Sequence, residues 1–319
     1  MSGPEVECPD SLPPDSEAKM KREMLELSLP YVVEGALLPP LGVPIDFISE
    51  SSDRVLARFG FSKVDLENIN VAIQRDFFPI PSVRNREGYG GGNFVYWLFG
   101  FQDYLKVIDA LAKYDIISRR MLDFGGSTGR AFRHFRAQGG VGEVWACDFK
   151  KISVQWCKEH YGTSVNVFLS TVVPSLPIED DYFDLITAFS VFTHIDELED
   201  AWLLELRRIL KPGGLLYLTV HDENTWRVMS DLLRDRVRDT PEGMGLDFGA
   251  PVMPFDRKSF RRSDAPHYQC NVFRSKSYIT RYWGRFVRIL DIIENGHAAH
   301  SVGQSVVLAT KSNADHNGR

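Results

Sequence analysis

The chain has 319 residues and a formal net charge of −6, so no overall positive field draws it to nucleic acid. With 44% hydrophobic and 25% charged residues it has the composition of a globular protein, which excludes a fibrous or wholly disordered chain. Cys8, Cys147, Cys157 and Cys270 lack metal-type spacing, and neither a secretion-type leader nor a membrane-length apolar run is visible; free thiols, no metal, no membrane span and a cytoplasmic setting are expected.

Residues 1–20, with Pro4, Pro9, Pro13 and Pro14 among acidic and small residues, are expected to be a disordered tail. Residues 21–115 read as a mostly helical N-terminal cap. Charged and apolar residues mix at helical spacing over 21–38, and Pro39, Pro40 and Pro44 interrupt them. A second amphipathic helix is predicted over 64–77, stopped by Pro79 and Pro81, and a long apolar helix over 94–114 after a glycine turn at 88–92.

Between 119 and 220 the pattern alternates. Strands are predicted at 121–124, 144–147, 165–169, 183–189 and 215–220, and helices at 130–138, 152–160 and 198–210. Such alternation predicts right-handed crossovers and a parallel sheet covered on both faces. Lys211-Pro212-Gly213-Gly214 is expected to end the last helix, with glycine taking the left-handed cap. Residues 221–271 lack long apolar periodicity and read as an irregular stretch, within an insertion at about 221–276. A helix at 277–286 and strands at 287–293 and 305–310 complete the pattern.

Most informative is the first strand and its turn, Met121-Leu122-Asp123-Phe124-Gly125-Gly126-Ser127-Thr128-Gly129-Arg130, with Asp148 ending the next apolar run. Glycines there let the backbone take positive φ or approach a ligand, and the following helix start offers N–H groups. A dinucleotide fingerprint starting at Gly125 needs glycine at 127 and 130, where Ser127 and Arg130 stand. A phosphate-binding P-loop needs Gly-Lys-Ser/Thr, which is absent.

What remains, Asp-x-Gly-x-x-x-Gly, resembles motif I of the class I S-adenosylmethionine (SAM) dependent methyltransferases, with Ser127 at the usual middle glycine. The resemblance extends over 119–311 through Leu176-Pro177-Ile178 and Phe183-Asp184-Leu185-Ile186, Phe189-Ser190-Val191-Phe192-Thr193-His194, and Arg207-Arg208 before Leu210-Lys211-Pro212-Gly213-Gly214. It implies an α/β, Rossmann-like fold: a seven-stranded, mostly parallel sheet with an antiparallel C-terminal strand pair, plus the helical N-terminal cap. Residues 116–319 are then the SAM-binding domain, with a substrate-side insertion at about 221–276.

Carried over residue by residue, the resemblance implies that Gly125, Gly126 and Gly129, with Ser127 among them, hold the methionine part of SAM. Asp123 would orient its ammonium group, and Asp148, with Phe149 beside it, would accept both ribose hydroxyls. Thr171 and Val172 would lie at the adenine, and Phe189 and Ser190 at the carboxyl edge of the sheet. The bland alternatives are that Asp148 is a helix cap or solvated strand-end acid, that Asp123 pins a turn, and that Phe189 is core. His194 and His221 follow the fourth and fifth strands and open towards the crevice; each is weighed as a catalytic base, His194 against a role in orienting a loop. Arg257, Lys258, Arg261, Arg262, Arg274 and Lys276 either grip an acceptor oxyanion or form a solvated, acid-balanced loop. Tyr89 and Trp97 line an acceptor pocket or belong to the core.

The expected activity is SAM-dependent methyl transfer to an oxygen or nitrogen of a small or carrier-linked acceptor of sugar or secondary-metabolite type. A nucleic-acid acceptor is not expected, since there is no basic tail and no Asn-Pro-Pro-Tyr or Asp-Pro-Pro-Tyr tetrapeptide. Two rivals stand beside it: a non-catalytic SAM-binding or scaffold protein of the same fold, and a dinucleotide-dependent oxidoreductase.

Overall fold

The computed structural model describes residues 66–89, 92–265, 269–297 and 303–311, so the expectations for 1–20 and 21–38 lie outside the described residues. Helices α1 (Leu66–Arg75) and α2 (Asn93–Lys113) precede the sheet. In α2, Phe94, Trp97, Leu98, Phe101, Tyr104, Val107 and Leu111 recur at three- and four-residue intervals and are buried together. Gly100 stands where α2 crosses the chain after the glycine turn. A Cβ there would lie 1.8 Å from the Arg130 carbonyl oxygen, so only glycine permits the approach.

The sheet is built from β1 (Arg120–Phe124), α3 (Phe132–Gln138), β2 (Glu143–Asp148), α4 (Lys151–Tyr161), β3 (Asn166–Leu169), β4 (Phe183–Ala188), α5 (Glu199–Ile209) and β5 (Leu210–Val220). It is completed by β8 (Arg288–Ile293) and β9 (Ser305–Thr310). Its order is β3-β2-β1-β4-β5-β9-β8, with β1 to β5 parallel and β9 antiparallel to both neighbours. This is the seven-stranded, mostly parallel sheet with an antiparallel C-terminal pair.

Alternation along the strands feeds two cores. Met121, Leu185, Leu215, Tyr217, Val306 and Leu308 pack with α1 to α4. Leu122, Ile186, Leu216, Leu218, Val307 and Ala309 pack on the other face with α5 and α8 (Lys276–Tyr282). A buried ion pair ties the chain after α1 to α3: Arg133 Nε donates to Asp76 Oδ2 at 2.7 Å, with both side chains fully sealed from solvent. Trp97 Nε1 donates to the same oxygen at 2.8 Å, and Arg133 also reaches the Pro79 carbonyl. The pair is thus fully hydrogen-bonded, the condition under which buried charges are tolerated.

Two expectations need correction. Helix α5 ends at Ile209, but Lys211 to Gly214 form the irregular start of β5 rather than a helix cap. Leu210 pairs with Phe183, and the register slips before Leu215 meets Leu185, which absorbs Pro212, Gly213 and Gly214. The insertion is not irregular either. It contains α6 (Glu223–Val228), α7 (Asp231–Arg238) and an antiparallel hairpin of β6 (Arg257–Arg261) and β7 (Cys270–Arg274). Its elements are too short to show periodicity, yet Trp226, Leu233, Val237, Phe248, Phe260 and Phe273 give it a core of its own.

Candidate functional site

The strand order reverses between β1 and β4, and the carboxyl ends of these strands open the crevice where parallel α/β sheets bind ligands. The turn after β1 is held by its own backbone. Gly125 and Gly126 N–H both donate to the Cys147 carbonyl, at 2.9 and 3.0 Å, and Gly129 N–H donates to Gly126 O at 2.9 Å. Ser127 N–H donates to Asp148 Oδ2 at 3.0 Å. These amides are therefore spent within the protein. Ser127 itself sits at φ +48°, the left-handed region that glycine ordinarily fills, and its hydroxyl is buried without a partner.

Two buried carboxylates flank this turn. Asp123, at the end of β1, accepts the Thr187 hydroxyl at 2.8 Å, and burial pushes it up to about 7. Asp148, at the end of β2, accepts Ser127 N–H and, through Oδ1, Lys150 N–H at 2.8 Å. Burial pushes it up to about 6, while the Lys150 amide pulls the other way. Among the described residues neither carboxylate forms an ion pair. A site with two sealed acids and an orphaned hydroxyl suits a ligand that brings hydroxyl donors and positive charge. The residues present thus fit a SAM-type cofactor.

The other residues expected at the cofactor fall along the same edge. Ser170 N–H donates to the Asp148 carbonyl at 2.9 Å, which brings Thr171 and Val172 beside that strand end. The Thr171 hydroxyl bonds the Val173 backbone, and half-buried Phe149 directly follows Asp148. Phe189 stacks on His297, with ring centroids 5.7 Å apart. Ser190, at φ +58°, is pinned by its amide to the Thr219 hydroxyl at 2.6 Å.

Beyond Ser190 runs a polar chain that the sequence reading did not assemble. Asp103 of α2 faces His297 Nδ1 at 3.1 Å and takes Arg130 Nη1 at 2.6 Å. His297 Nε2 lies 2.8 Å from the Tyr89 hydroxyl, which lies 2.9 Å from Ser190 Oγ. Ser190 donates to Gln304 Oε1 at 3.2 Å, and Gln304 Nε2 approaches His221 Nε2 at 3.4 Å. Burial alone would raise Asp103, but His297 and Arg130 hold it well below the usual carboxylate range. Burial lowers His297 and raises Tyr89. At neutral pH the pattern reads as ionised Asp103 accepting from His297 Nδ1–H, with His297 Nε2 accepting from Tyr89. The Arg130 guanidinium lies 4.2 Å from the Tyr89 ring centroid. One sequence signal marked this chain: Asp103 is an acid on the buried side of a strongly apolar helix, which demands a partner.

The two weighed histidines separate. His194 Nδ1 bonds the Cys270 carbonyl at 2.5 Å, which ties it to β7. His221 is 2% exposed, packs on Phe273 and is held neutral by burial. Trp97 is core, whereas Tyr89 is in the chain just described. The basic cluster in the insertion is balanced by acids: Arg257 by Asp196, Arg274 by Glu199, Arg262 by Asp264 and Lys276 by Glu294. Among the described residues, no group of His, Cys, Asp and Glu is disposed to hold a metal ion, and no helix is long and apolar enough to cross a membrane.

Comparison with known proteins gives three findings. Residues 122–218 match the family model described as a methyltransferase domain. The ubiquinone/menaquinone biosynthesis C-methyltransferase UbiE of Cupriavidus metallidurans is 36% identical over 103 residues, covering 30% of this chain and 40% of that protein. Its counterpart from Stutzerimonas stutzeri is 32% identical over 116 residues, covering 35% of this chain and 45% of that one. The chain thus spans less than half the length of these curated relatives. Among solved structures, the Burkholderia thailandensis 1,6-didemethyltoxoflavin-N1-methyltransferase, with bound 1,6-didemethyltoxoflavin and S-adenosylhomocysteine, aligns at a TM-score of 0.48. It is 13% identical and covers 86% of this chain and 94% of that one.

Proposed function

We propose, from the match of residues 122–218 to a methyltransferase domain, that the protein transfers a methyl group from SAM to a small or carrier-linked acceptor. The observation that carries this reading is the pair of buried acids, Asp123 and Asp148, on either side of the glycine turn, neither in an ion pair among the described residues. When bound, the cofactor would supply an electrophilic methyl on a sulfonium, with a neutral thioether as the leaving group.

Asp148 accepts the ribose hydroxyls, and Asp123 orients the ammonium group from the end of β1. Thr171 and Val172 border the adenine, and Phe189 with Ser190 closes the floor towards β4. Tyr89 faces the acceptor. An acceptor oxygen or nitrogen loses a proton on methylation, and the Tyr89 hydroxyl takes it while passing its own to His297 Nε2. Asp103 then stabilises the imidazolium, and Arg130 fixes Asp103. His221 and Gln304 hold Ser190 from the far side rather than acting as bases. The helical layer before β1 and the insertion enclose the acceptor.

Calorimetry with SAM, S-adenosylhomocysteine and NADH tests the cofactor half. Heats with the first two and none with NADH are expected, and the reverse overturns the reading. Methyl transfer from labelled SAM to a metabolite pool tests the chemistry, and its absence from every pool would favour the non-catalytic scaffold. The similarity to the UbiE C-methyltransferases favours carbon as the acceptor atom. Mass and proton spectra of the product separate C-methyl from O- or N-methyl.

A further inference from the structure

A cavity of about 490 Å3 opens in the insertion, between α6, α7 and the loop at 246–251. Its apolar wall is Trp226 stacked on Phe248, with ring centroids 5.1 Å apart. Three guanidinium groups line it, those of Arg227, Arg234 and Arg238, against one carboxylate, Asp247. Asp247 is turned into its own loop, where its Oδ1 accepts Gly249 N–H at 2.8 Å.

The arginines differ in their partners: Arg227 Nη2 donates to Asn224 Oδ1 at 2.8 Å and pairs with Glu294 at 3.1 Å, whereas Arg234 is poorly satisfied. Arg234 Nε is sealed from solvent and has no partner, and its other contacts, to Asp231 and the Met229 carbonyl, are both long at 3.4 Å. Arg238 pairs with Asp235 within α7 while its guanidinium carbon stands 5.7 Å from the Phe248 ring centroid. Such helix-surface pairs one turn apart are weak and readily re-partnered. Arginines beside two aromatic rings match an oxyanion carried on a planar or apolar group.

The cavity is coupled to the crevice through α6. Asn224 Nδ2 donates to Asn295 Oδ1 at 2.9 Å and to the Gly303 carbonyl at 2.8 Å, two residues before His297 and one before Gln304. We propose that this cavity binds the oxyanion end, phosphate or carboxylate, of the methyl acceptor. The proposal rests on the methyltransferase reading for the word acceptor, and on the cavity alone for the oxyanion.

The test is calorimetry on the full chain with phenyl phosphate and with benzoate, in the wild type and in Arg234→Gln and Arg238→Gln, each checked by a melting curve. Binding of at least one probe is expected, weakened about tenfold or more in each variant and by added salt, with SAM binding unchanged. The stronger probe identifies which oxyanion the site takes. Binding of neither probe, or equal binding by both variants, overturns the proposal. Loss of SAM binding with intact probe binding would count against the methyltransferase reading and leave the oxyanion site standing.

Discussion

Replacing Asp148 with asparagine removes one charge from the crevice while keeping the side chain's volume. Burial pushes the Asp148 carboxyl up from 3.8 to about 6, so at pH 5 only about one molecule in ten is ionised. If the ionised form accepts the ribose hydroxyls, this group alone weakens SAM binding about tenfold between pH 8 and pH 5. Asp123, pushed up to about 7, adds a second step at the upper end of the same window. The wild-type profile is therefore steeper than one titration, and Asp148→Asn retains only the upper step. At pH 8 the variant loses charge-assisted bonds of about 1.5–3 kcal/mol each, so an affinity loss of about a hundredfold is expected. Without ligand the raised value acts in the opposite direction. The folded chain binds a proton that the unfolded chain releases between about pH 4 and 6, so stability falls as pH rises through that window, and asparagine removes this slope. Calorimetry from pH 5 to 8, with urea unfolding in the same buffers, measures both. A SAM affinity that is flat across the window, or a variant within threefold of wild type at pH 8, would refute the reasoning.

Tyr89→Phe removes the hydroxyl that links His297 to Ser190; turnover with an oxygen or nitrogen acceptor is expected to fall about a hundredfold with the KM for SAM unchanged, and an unchanged rate would free Tyr89 from the reaction. Arg133→Met strands the buried Asp76 carboxylate, and urea denaturation should show a loss of about 3–5 kcal/mol, against a loss under 1 kcal/mol if the pair is dispensable. Gly100→Ala drives a methyl group into the Arg130 carbonyl, so a lower melting temperature and weaker SAM binding are expected together; a variant that melts and binds like wild type would show that α2 has room to move.

The sheet was legible because its strands are continuous apolar runs separated by helices that end where proline and glycine stand. Asp123, the glycine turn and Asp148 were legible because they lie within one βα unit. The Asp103, Tyr89, His297 and Gln304 chain was not, since its members come from α2 and two separate loops that only the closed fold brings together. Likewise Arg257, Arg262 and Arg274 stood out by clustering in sequence, but each lies beside an acid in space. Arg227, Arg234 and Arg238 are spread over two short helices, and nothing in their spacing announced a common cavity.

The sheet order carries a consequence for biosynthesis. Among the described strands β9 is the last in the chain, yet it lies inside the sheet, between β5 and β8. A nascent chain that has delivered β1 to β5 from the ribosome still exposes the β5 edge, where Leu215 to Val220 await Thr310 to Ser305. The loop that supplies His297 and Gln304 joins β8 to β9, so the edge and the polar chain are completed in the same late event. A translation product truncated before residue 304 would therefore carry an unpaired sheet edge and an unfinished crevice together, and quality-control machinery would meet it as an aggregation-prone chain rather than as a slow enzyme.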